Sequence, residues 1–225
     1  MTVLLVLFFF ATFLLIDYLR NRHAIVKPVL QVAPSKHNAV APRLQPALVG
    51  GFAVPENLRY HQGHTWALAE SATLVRVGLD SFAARLIGKF EGITLPKRGQ
   101  WIRQGQKIVT VLRDGSKAEL VSPIEGEVSN VNDAVLADNA LLGRDPYGDG
   151  WLLMVMAPDA KVSFRNLLNG TLARRWMEEA ASRLRMRMPA LAGAVAQDGG
   201  VVVDDVAAHL PDQAWSDLTR EFFLM

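Results

Sequence analysis

Cysteine is absent from this chain. Its absence excludes disulfides, thiolate nucleophiles and zinc or iron–sulfur centres held by cysteine. An excess of charge is missing too. A net +2 is too small to argue for nucleic acid, and none is expected as a partner. No Gly-rich phosphate loop, nucleophile elbow or His-Glu-x-x-His occurs. The histidines do not cluster: His23 and His37 lie near the N-terminus, and His209 is isolated. His61 and His64 are close but lack a third ligand, so no metal centre is expected. Glu125 and Glu127 flank a turn glycine and read as a solvated edge. The expectation is a protein that is not an enzyme.

What the chain has in quantity is apolar sequence, 50% of its 225 residues. Val3–Leu19 is apolar except for Thr12, Asp17 and Tyr18. At 1.5 Å per residue such a run covers roughly 25 Å, near the lower limit for crossing a bilayer. No basic stretch precedes it and Arg20-Asn21-Arg22-His23 follows. This predicts a retained single-pass membrane anchor over 1–23, with the following domain on the cytoplasmic side. Residues 24–56 carry Pro28, Pro34, Pro42, Pro46 and Pro55, which predicts an extended linker.

From 57 to about 160 the pattern is short β-strands punctuated by Gly and Pro. Strands are predicted at Thr65–Ala69, Thr73–Val77, Ile93–Leu95, Lys107–Leu112, Lys117–Val121, Gly126–Val131 and Trp151–Met156. Asp80 is placed to cap a short helix through Phe82, Leu86 and Ile87, with Gly88 ending it. Residues 161–225 read as a helical extension. Ser163 is expected to cap a helix over Phe164–Arg187 with the stripe Leu168, Leu172, Trp176, Ala180 and Leu184. Arg175, Glu178, Glu179 and Arg183 fall on its wet side. Further helix is predicted at Val206–Leu210 and Ala214–Phe223, ending in an apolar Phe222-Phe223-Leu224 that must dock somewhere.

Several short motifs occur together: Tyr60…His64-x-Trp66, Val77-Gly78-Leu79, Leu86-Ile87-Gly88, Leu95-Pro96, Gly99, Gly105, Ser122-Pro123, and Asp145-Pro146-Tyr147-Gly148-x-Gly150-Trp151. In their order and spacing, roughly residues 58–158 resemble the H proteins of the glycine cleavage system. The resemblance implies a mainly β fold with helices, a lipoyl-type β-sandwich or barrel–sandwich hybrid. It also implies a lipoyl group on a hairpin lysine, eight residues before the proline of the Ser-Pro pair. Here that position is Gly115. Trp66 and Trp151 are large apolar residues and read as core rather than ligand contacts.

The candidate site is therefore the hairpin tip Asp114, Gly115 and Ser116. Asp-Gly is the favoured pair for a two-residue hairpin turn, because both central residues take positive φ. Such a turn pairs Arg113 with Ser116 and Leu112 with Lys117. Lys117 then stands on the strand, about 7 Å from the apex. The leading expectation is a membrane-tethered domain without a cofactor, binding a protein partner as a scaffold. The alternative is a carrier with covalent lipoyl on Lys117, shuttling an aminomethyl or acyl group. A further alternative is a membrane fusion adaptor, which also joins an anchor to a lipoyl-like domain. Such adaptors insert a helical hairpin that Leu95–Trp151 lacks.

Overall fold

The computed structural model describes residues 47–187, Val206 and 212–224. The expected anchor at 3–19 and most of the expected linker lie outside these residues. Among the described residues no helix is long and apolar enough to cross a membrane.

Eleven strands and six helices make up the described chain. The strands are β1 (Ala47–Val49), β2 (Phe52–Val54), β3 (Arg59–Tyr60), β4 (Thr65–Ala69), β5 (Leu74–Leu79), β6 (Gly92–Thr94), β7 (Trp101–Ile102), β8 (Lys107–Arg113), β9 (Ser116–Val121), β10 (Gly126–Val131) and β11 (Leu153–Met156). The helices are α1 (Ser81–Ile87), α2 (Asp133–Ala137), α3 (Leu141–Arg144), α4 (Ala160–Arg165), α5 (Gly170–Arg187) and α6 (Asp212–Phe222). A six-stranded sheet runs β3-β4-β5-β11-β10-β7, and a three-stranded sheet runs β6-β8-β9. All pairings are antiparallel. Val75, Val77, Val128 and Val155 of the large sheet share one core with Val109, Val111, Ala118 and Leu120 of the small one.

Period-two alternation sets which faces meet. In β10, Val128 and Val131 are both buried although they are three apart. A register shift between Val128 and Asn130 makes this possible, because a bulge adds one residue and restores the inward face. Trp66 is fully buried. Its indole donates to the Leu79 carbonyl at 2.8 Å and to the Pro146 carbonyl at 3.1 Å. Its ring lies against Gly78, where an added Cβ would meet a ring carbon at 2.4 Å. Trp151 is half-buried and packs on the same core.

Three expectations change. First, residues 47–54, inside the expected linker, form the β1–β2 hairpin, and Phe52 and Val54 are buried in the core. The Tyr147 hydroxyl holds the hairpin by donating to the Ala53 carbonyl at 2.5 Å. Second, the helix expected over Phe164–Arg187 is two helices. Ser163 does not cap it: it is buried within α4, and its hydroxyl accepts from the Glu125 N–H at 3.4 Å. The break comes where Leu168 pairs with Tyr60, through N–H to carbonyl contacts of 2.9 and 2.8 Å. A sheet edge has claimed backbone groups that a continuous helix would need. Third, Leu172 is 64% exposed. Residues four apart advance about 40° per step around a helix of 3.6 residues per turn, so a strict four-residue stripe drifts off the buried face. That face is Ala173, Met177, Ala180, Ala181 and Leu184. Arg183, expected on the wet side, instead places its guanidinium 5.3 Å from the Phe222 ring.

Candidate functional site: the β8–β9 hairpin and its surroundings

The β8–β9 hairpin has the expected register, with Arg113 opposite Ser116 and Leu112 opposite Lys117. Asp114 and Gly115 alone make the turn, at φ 46° and 74°. Two successive left-handed residues match the right-handed twist of the strands they join. Gly115 projects into open space: no atom lies within 4 Å of an added Cβ. Lys117 is exposed on β9.

The shoulder of the hairpin is tied to the body of the domain. Arg113 donates to the Ile87 carbonyl at 3.2 Å and reaches the Asp114 carboxylate at 3.3 Å. The Asp114 N–H donates to the Glu91 carboxylate at 3.3 Å. The guanidinium of Arg113 also lies 5.8 Å from the Trp215 ring, so α6 reaches the same shoulder. Sequence reasoning missed this role for Arg113. It also left the docking place of Trp215, Phe222 and Phe223 open, although three large aromatics close together pointed to a docked segment.

A buried polar pair stands at the start of α1. His64 Nδ1 and Asp80 Oδ2 are 2.8 Å apart, and both residues are essentially inaccessible. Asp80 Oδ1 accepts the Ala83 N–H at 2.8 Å, capping α1 as its sequence position predicts. The His64 ring stacks on Phe82 at 4.1 Å and lies 4.6 Å from Trp176. His61 Nδ1 accepts the Gly63 N–H at 3.0 Å. Burial, and then the charge of His64, push the His61 pKa below the ordinary imidazole value. The Tyr147 hydroxyl accepts from the Ser81 N–H at 3.0 Å, and burial together with Asp80 raises its pKa. The Asp145 carboxylate gathers the N–H groups of Gly148 and Asp149 at 3.0 and 2.9 Å. The Asp-Pro-Tyr-Gly motif is thus a folded turn that fixes a tyrosine. Glu125 and Glu127 are exposed.

The glycine cleavage H-protein profile matches residues 58–180, more than half of the chain. This protein belongs to the glycine cleavage H-protein family. A glycine cleavage system H protein from Gloeobacter violaceus is 37% identical over 105 residues, covering 47% of this chain and 81% of the relative. One from Thermobifida fusca is 37% identical over 104 residues, covering 46% and 82%. The crystal structure of a glycine cleavage system H protein from Mycobacterium marinum matches at 31% identity with a TM-score of 0.43, covering 46% of this chain and 86% of that one. Glycine cleavage H proteins are carriers of a lipoyl group and not themselves catalysts. The turn residues do not fit such a group, because neither Asp114 nor Gly115 offers an amine. Among the described residues the two hairpin strands carry amines at Lys107 and Lys117, and Lys117 is the one beside the turn. Helix α6 lies beyond the family-matched residues.

Proposed function

We propose that this protein is a membrane-tethered member of the H-protein family that binds a protein partner as a scaffold and carries no lipoyl group. The observation that carries this reading is the two-residue Asp114–Gly115 turn at the position that the family spacing assigns to the carrier lysine. A compact turn with no amine can present shape and surface but no covalent cargo. The shoulder contacts of Arg113 support the same reading, because they draw a side chain inward where a ligase would need an exposed, readable flank. The apolar run at 3–19 supports the tether, and the basic residues after it support a cytoplasmic domain.

The second reading is a lipoyl carrier modified on Lys117. It is favoured by the exposure of that side chain on the hairpin and by the carrier role of the family. Incubating the full-length chain with lipoate, ATP and a lipoate ligase tests the two. The first reading expects no labelling. Labelling that disappears in Lys117→Ala establishes the second.

A further inference from the structure

Helix α6 lies outside the residues shared with the family, yet it is seated on the hairpin. It packs against β9 and α1. Trp215, Leu218, Phe222 and Phe223 are all at least 95% buried. These positions fall at i, i+3, i+7 and i+8, the spacing of one helical face. Asp217 and Arg220 on the other side are exposed. This is the arrangement by which an amphipathic helix binds in a groove.

The seat has features that select its occupant. At one end the Trp215 indole donates to the Leu86 carbonyl at 2.9 Å while the Arg113 guanidinium approaches its ring. Leu86 is the penultimate residue of α1, and its carbonyl is one that the helix itself leaves without a partner. At the other end Phe222 lies 4.9 Å from the Phe82 ring and 5.3 Å from the Arg183 guanidinium. Two arginines from different elements thus present cations to aromatic rings one helical stretch apart. The fit is not complete in polar terms: Arg183 Nε is buried at this seam without a hydrogen-bond partner among the described residues. Such a donor costs stability while α6 is seated, and departure of the helix would return it to water.

We propose that the face formed by β9, α1 and α5 is a helix-docking site, with α6 as its resident occupant. The site takes an amphipathic helix with an aromatic residue at i, an aliphatic one at i+3 and an aromatic pair at i+7 and i+8. A partner helix with that pattern would displace α6 and engage the flank of the hairpin directly. Whether the hairpin carries a lipoyl group does not enter.

The test uses the full-length chain with a protease site placed between Gly199 and Gly200. After cleavage, the released C-terminal fragment should stay with the body in size-exclusion chromatography. It should then exchange with an excess of labelled peptide spanning residues 212–225. The same peptide carrying Trp215→Ala and Phe222→Ala should exchange at least tenfold less. Failure to exchange, or loss of the body's β-sheet signal as the fragment leaves, overturns the proposal and makes α6 a fixed part of the core. Hydrogen exchange on the unmodified chain decides the matter if the cleavable variant does not fold. Amides of α6 should exchange at least tenfold faster than those of β5 and β11, through local release. Equal rates overturn it.

Discussion

Arg113 and Ser116 face each other across the β8–β9 hairpin as its last paired residues, leaving only Asp114 and Gly115 to turn the chain. Gly115 stands at φ 74° in open space. Gly115→Ala meets no steric neighbour, so its cost is backbone strain alone, about 1–2 kcal/mol for a left-handed L-residue. Urea denaturation should show that loss with an unchanged m-value.

Gly78 has the opposite problem. Its backbone lies against the Trp66 ring, and an added Cβ would sit 2.4 Å from a ring carbon. Trp66 is fully buried and held by two carbonyls, so it has no easy way to move. Gly78→Ala should cost about 3 kcal/mol as overpacking. Thermal unfolding should place it well below Gly115→Ala.

Asp80 does two jobs with two oxygens, capping α1 and pairing with His64. Asp80→Ala removes a helix cap and leaves the buried His64 Nδ1 without that partner. The combined loss should be about 2–4 kcal/mol. Asp80→Asn retains an acceptor for the Ala83 N–H and should recover part of it. Equal losses for the two variants in denaturant titration would contradict the capping role.

His61 should make stability depend on pH. Burial and the His64 charge lower its folded-state pKa below the unfolded value of about 6.5. Between the two values the unfolded chain binds more protons than the folded one, so stability rises with pH there. As pH falls from 7 through the unfolded pKa, stability is lost until the folded pKa is passed. His61→Gln should flatten this part of the stability–pH curve. An unchanged slope would show that another group is responsible.

Local chemistry was readable in the sequence wherever it was decided locally. Asp80 and Gly88 bracket α1 as expected, and the Asp114–Gly115 turn fixed the pairing of Leu112 with Lys117. The β4 and β10 strands have the predicted bounds. What stayed hidden was decided by distant partners. Nothing near Leu168 announces that Tyr60 will take its backbone. The β1–β2 hairpin is only three residues per strand, and its place depends on Tyr147, some ninety residues later. At the candidate site the turn was legible. The inward course of Arg113 was not, because it is set by the Ile87 carbonyl and by Trp215, which lies beyond the family-matched region.

The central claim is that the hairpin presents no covalent cargo. The most direct measurement is the intact mass of the full-length protein isolated from its native cell, followed by fragmentation across residues 107–121. The account predicts the unmodified mass for every hairpin fragment. A lipoyl increment on any residue of that hairpin, Lys117 above all, would contradict it.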